Sequence, residues 1–178
     1  MAAAKPPELP IPGVEQLEST PEILRVLMTS VTEEDALWKP AADRFSIAEV
    51  LEHLSHVEAH CFRLRVDLTV EQNGAAWEPY DPEGHAAAGH YSGRDPEESF
   101  AHWEEQREDN VEFLKSLPAD AVSRHGIHRT LGRVTLGELV AEWAFHDLGH
   151  IRQIAELIRA RKYYPSMGPF QKQSKVKP

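Results

Sequence analysis

The sequence predicts an all-α fold, a four-helix bundle, and three observations carry the prediction. Apolar residues recur at helical rather than strand spacing along four stretches. Ser46 with Glu49, and Thr135 with Glu138, each have the form of a capping box. Thr20-Pro21 and Asp95-Pro96 place a proline where a first helical turn accepts one, because that N–H has no partner inside the helix. No segment alternates as a strand would, and no internal repeat is visible.

Taken in order, Thr20-Pro21 starts the first helix, and Ile23, Leu24, Leu27 and Val31 form its stripe. Thr32 to Trp38 reads as a short capped turn ended by Lys39-Pro40, since the residue before proline is pushed away from helical angles. From Ser46 a longer helix carries Ile47, Val50, Leu51, Leu54, Val57, Cys61, Leu64 and Leu68 on one face and runs to about Gln72. Residues 73–94 hold Gly74, Pro79, Pro82, Gly84, Gly89 and Gly93 and read as a loop. A loop of that length in a compact domain usually has a function, which places it near the site. Asp95-Pro96 opens a third helix whose buried face is Phe100, Trp103, Val111, Leu114 and Leu117, stopping at Pro118. A second loop leads to Val134, and Leu136, Leu139, Val140, Trp143, Ile154, Leu157 and Ile158 define the fourth helix.

The 178 residues suit one domain, domains running to about 100–200 residues. The expected division is a flexible segment over 1–13, the bundle over 14–170 and a basic tail over 171–178. A net charge of −10 repels nucleic-acid backbones and anionic membranes, so neither is an expected partner. The single cysteine, Cys61, excludes an internal disulfide and suits a reducing cytosol. It lies on the apolar stripe of the second helix, so a small buried hydrophobe is its simplest role. Residues 1–13 lack the apolar run of a signal peptide, and no stretch has the roughly 18 apolar residues of a membrane span. The expected setting is a soluble protein of the cytoplasm.

The chemistry lies in the histidines. At about 100° per residue, His146 and His150 fall inside the apolar arc set by Leu139, Trp143, Ile154 and Leu157, and Asp147 falls there too. Burying polar groups without partners costs on the order of 1–3 kcal/mol each, so something must satisfy them. Imidazoles at i and i+4 stand one above the other and can reach one metal ion. The second helix supplies a third candidate in His53, at the edge of the apolar face, with His60 and then His56 further round toward solvent. Three neutral imidazoles leave a fourth position of zinc open, the pattern of a catalytic site. The competing reading is a pair of core histidines hydrogen-bonded to Asp147 or backbone. His56, His60, His85, His90, His102, His125 and His128 read mostly as exposed polar residues, with His85 and His90 in the long loop bordering the site.

The segments Phe45 to Leu54 and His146 to Ile154, with Thr20-Pro21, Gly132 to Thr135 and Gly168 to Phe170, resemble the DinB-like superfamily, also called YfiT-like metal-dependent hydrolases. The resemblance covers roughly residues 14–170. It implies an up-down-down-up four-helix bundle with His53, His146 and His150 as metal ligands. Enzymes of that family include bacillithiol- or mycothiol-using S-transferases and a mycothiol-dependent maleylpyruvate isomerase. The leading expectation is therefore a metal-dependent enzyme in which a divalent ion, zinc, nickel or iron, activates a low-molecular-weight thiol for transfer to a small electrophilic substrate. A hydrolase that activates water is its rival, with Asp147 as a base or as a residue supporting the ligands. A zincin-like helix fits poorly, because aspartate is short for the base and Glu156 lies only six residues past His150. A non-enzymatic, metal-stabilised binding module is the third reading. The resemblance also suggests a homodimer, and two-fold dimers are the commonest soluble assemblies.

Overall fold

The computed structural model describes residues 11–174. Helix α1 spans Val14–Met28 and is followed by the short α2, Glu33–Leu37. Helix α3, Ile47–Val57, runs through a π-helical turn, Glu58–Arg63, into α4, Leu64–Glu71. After strand β1, Ala75–Trp77, come the short α5, Pro82–Ala87, and the long α6, Pro96–Ser116. Strands β2, His125–His128, and β3, Gly132–Thr135, precede α7, Leu136–Ile158, which continues through a π-helical turn into a 3-10 segment, Tyr164–Gln173. Both capping boxes read from the sequence close as hydrogen-bonded pairs, and Thr32 with Asp35 makes another at α2. Asp95 caps α6 through the amides of Glu97 and Glu98, with Pro96 in the first turn.

Two apolar clusters define how the helices run. One joins Val14 and Leu17 of α1 to Val57, Cys61, Phe62 and Val66, to Val111 and Leu114 of α6, and to Leu136, Leu139, Val140 and Trp143 of α7. The other joins Leu24 of α1 to Ile47, Val50, Leu51 and Leu54 of α3, Trp103 of α6, and Ile154, Leu157 and Ile158 of α7. The starts of α1 and α7 thus share one end of the bundle with the ends of α4 and α6. The order is up-down-down-up, a four-helix bundle as the sequence predicted. Helix α1 packs on α6 and α7, and α3 packs on the same two helices, so the first and second long units stand diagonally. Among the described residues no helix is long and apolar enough to cross a membrane.

The first helix begins earlier than Thr20-Pro21 suggested. It starts at Val14 after Gly13, and Pro21 lies inside it. An internal proline leaves the carbonyl four residues back without its amide donor. Here that carbonyl is Leu17, and the Arg107 side chain donates to it across 3.1 Å. The core-facing residues of α1 are Val14, Leu17, Thr20 and Leu24, while Ile23 is 36% exposed. Most of the 1–13 segment and part of the 171–178 tail lie outside the described residues, and residues 171–173 belong to the 3-10 segment.

Strands are the second correction. β1, β2 and β3 form a small sheet in that order, β1 parallel and β3 antiparallel to β2. Each is only three or four residues long, too short to show alternation. The sheet pins the first part of the 73–94 segment to the segment before α7. The buried indole of Trp77 covers Gly126 and donates to Thr69, and a Cβ at Gly126 would overlap the ring. Gly126→Ala is expected to cost about 1–3 kcal/mol, as overpacking does, read as a lowered urea midpoint. An unchanged midpoint would show that Trp77 repacks freely.

Candidate metal centre

His53 stands on α3 two turns beyond its Ser46 cap, and His146 and His150 stand one turn apart on α7. Because α3 and α7 pack together, the ring nitrogens meet. His146 Nε2 lies 3.2 Å from His53 Nε2 and 3.1 Å from His150 Nε2, and one ligand atom from each lies within 4.8 Å of the others. A neutral imidazole offers one N–H and one lone pair. His150 Nδ1 faces Gln153 Oε1 at 2.9 Å, which places the proton on Nδ1 and directs the Nε2 lone pair at His146. The Nδ1 atoms of His53 and His146 are buried without hydrogen-bond partners. A single ring proton at His146 Nε2 cannot serve both neighbours, whereas a cation accepts all three lone pairs. Tetrahedral zinc with bonds of about 2.0–2.1 Å holds its ligand atoms roughly 3.4 Å apart, close to the separations seen. The residues present fit a divalent ion.

The electrostatics agree. Burial pushes His53 and His146 from 6.5 down to about 3, and the neighbouring imidazoles push the same way. His150 is also lowered by burial, against an opposing pull from Gln153 and Asp147. All three rings are held neutral at pH 7, the form that ligates.

Aromatic rings wall the site. Phe62 stacks on Trp143 at 5.0 Å and turns its edge to His146 at 5.4 Å. Tyr91, from the 73–94 segment, meets His53 edge-on at 5.3 Å, so that segment does border the site. Phe45 lies 6.1 Å from His53. Beside this wall opens a cavity of about 450 Å³ lined by Phe45, Gln153, Arg44, Arg152, Arg159 and Tyr163.

Asp147 is fully buried and faces Arg107. Arg107 Nη1 donates to Asp147 Oδ2 at 2.5 Å and Nη2 to Oδ1 at 3.1 Å. Nε and Nη2 donate to the two oxygens of Glu58, each at 2.9 Å. With the bond to Leu17, all five guanidinium N–H groups are used. Burial disfavours the charge on Arg107, but Glu58 and Asp147 outweigh it and raise its pKa above the ordinary arginine value. Trp103 Nε1 and Asn110 Nδ2 also donate to Glu58. The network crosses the waist of the bundle between the two apolar clusters, and its member Asp147 adjoins His146 on α7. Glu58 opens the π-helical turn, an insertion common at functional sites.

The sequence profile of the DinB superfamily matches residues 16–154. The chain belongs to the DinB superfamily. Among solved structures, it is similar to YfiT from Bacillus subtilis, described as a probable metal-dependent hydrolase with an unusual four-helix bundle topology. The two share a TM-score of 0.73 and 22% identity over 82% of this chain and 83% of that one, a likeness of fold. No curated protein sequence matches this chain significantly.

In this DinB superfamily member the three expected histidines come together, while Asp147 meets Arg107 with both its oxygens. Sequence reasoning missed the Arg107 network and the contribution of Tyr91. A signal existed for the first: Arg107 continues the stripe of Phe100, Trp103, Val111 and Leu114, and Glu58 follows Leu54 by four residues. Charged residues on an apolar stripe require partners.

Proposed function

We propose that this protein is a metal-dependent enzyme in which His53, His146 and His150 hold one divalent ion, zinc, nickel or iron, and which transfers a small anionic thiol to an electrophilic small molecule. The observation that carries the metal is the convergence of three neutral imidazoles on one point. A divalent ion so held supplies deprotonation of a thiol near neutral pH without a strong separate base. That matters because Asp147, buried with both oxygens bonded to the Arg107 guanidinium, is held as a paired carboxylate and is poorly placed to act as the base. Its role in this reading is to fix the phase of α7 and hence the placement of His146. Arg44 and Arg152, which make no ion pair among the described residues, give the adjoining cavity an affinity for carboxylate groups. Phe45 and Tyr91 keep bulk water from His53. A cytosolic location and a homodimer belong to the same proposal.

A hydrolase is the second reading, favoured by the description of YfiT. Its base would be Glu52, buried on α3 with Oε1 unpartnered and Oε2 paired with Arg94 at 3.4 Å. Metal analysis of chelator-free protein is expected to find an ion that is lost in His146→Ala and His150→Ala. Electrophile consumption is expected only with added thiol, cysteine and glutathione serving as probes. A metal content equal to that of wild type in both variants removes the proposed ligand set. Turnover without thiol, abolished by Glu52→Gln, replaces the transferase with the hydrolase.

A further inference from the structure

Outside this site a second group of histidines converges. His56, one turn after His53 on α3, meets His85 of α5 and His90 of the following turn, and one ligand atom from each lies within 4.8 Å of the others. His85 Nδ1 and His90 Nδ1 stand 3.2 Å apart, and the rings of His56 and His85 are 4.3 Å apart. The backbone is folded to bring this about. Gly89 takes a positive φ of 77°, which lets the chain reverse after α5. The His90 amide then bonds back to the His85 carbonyl at 3.2 Å.

We propose that His56, His85 and His90 form a second divalent-metal site, for a borderline cation such as zinc. Imidazole donors without carboxylate or carbonyl oxygens select zinc, copper or nickel over magnesium and calcium. The arrangement carries the support that metal-ligating histidines usually have behind them. His56 Nδ1 lies 2.8 Å from the Tyr80 hydroxyl, which lies 3.2 Å from the Tyr91 hydroxyl. Tyr80 thereby orients the ring and leaves Nε2 as the ligating atom. The two Nδ1 atoms 3.2 Å apart share one ring proton as a hydrogen bond, and an ion that displaces that proton takes both nitrogens as ligands. The exposed His60 ring lies 4.4 Å from that of His56.

The location gives the site a consequence. Tyr91 touches His53 at 5.3 Å and His56 at 5.7 Å, so it stands between the two triads. An ion clamping His85 and His90 to α3 holds the 82–91 segment, and Tyr91 with it, over the first site. This inference does not depend on the first triad binding metal. The test is zinc binding to metal-free protein by equilibrium dialysis and elemental analysis, in wild type, His85→Ala/His90→Ala and His146→Ala/His150→Ala. Proteolysis of residues 73–94 with and without zinc is followed in parallel, and circular dichroism confirms that each variant is helical. His85→Ala/His90→Ala is expected to bind one zinc fewer than wild type and to lose the protection from cleavage that zinc confers. His146→Ala/His150→Ala is expected to keep that protection. Equal stoichiometry in wild type and His85→Ala/His90→Ala overturns the proposal. Should the double variant fail to fold, His90→Gln in the exposed turn replaces it, and unchanged zinc affinity and protection there overturn the proposal equally.

Discussion

Arg107→Met is expected to destabilise the protein by about 3–5 kcal/mol, the usual cost of removing one partner from a buried ion network. The change leaves Glu58 and Asp147 as buried carboxylates facing one another without the cation between them, and strips the Leu17 carbonyl of its donor. In a chain of this size that corresponds to a fall in Tm of roughly 6–20 °C. The triple variant Arg107→Met/Glu58→Gln/Asp147→Asn is expected to recover part of the loss, because uncharged amides cost less to bury than unpaired carboxylates. Urea unfolding of the metal-free proteins measures both. A single variant within about 1 kcal/mol of wild type would show that water or rearrangement satisfies the carboxylates, and the network would then not be what holds the waist of the bundle.

The second large effect couples the first histidine site to pH. His53 and His146 titrate near 6.5 when the chain is unfolded and near 3 when it is folded, because burial disfavours their charged form. The folded state therefore binds fewer protons than the unfolded one between those values. Stability is complete above about pH 6.5 and falls as the pH drops toward 3, by up to about 1.4 kcal/mol per pH unit for each ring. A bound ion adds to this, since metal at 100 times its Kd stabilises the native state by about 2.7 kcal/mol and is displaced by the same protons. Unfolding of wild type and His146→Gln at pH 7.5 and 5, each with zinc and with chelator, separates the contributions. Wild type is expected to lose more stability than the variant on acidification, and to gain more from zinc at pH 7.5. Parallel behaviour of the two proteins at all four conditions would mean that His146 is neither buried as a neutral ring nor a ligand.

Local patterns determined the long helices. Ser46 with Glu49 and Thr135 with Glu138 mark helix starts because their side chains satisfy free amides, and the apolar stripes behind them show which way each helix faces the core. The spacing of His146 and His150 on such a stripe, with His53 at the edge of another, was enough to assemble a candidate site from periodicity. Where local signals competed, they misled. Thr20-Pro21 has the form of a helix start, and only packing against α6 and α7 shows α1 running through it, with Arg107 supplying the donor that Pro21 lacks. The three strands are too short to carry a pattern, and the pairing of β1 with β2 joins residues about fifty positions apart. The same holds for Arg107 with Glu58 and Asp147, and for His56 with His85 and His90. Each residue is legible in the sequence as polar and oddly placed, but its partner lies on another segment. Which polar groups meet is set by helix order, helix phase and the reversal at Gly89, and these are properties of the packed chain rather than of any stretch within it.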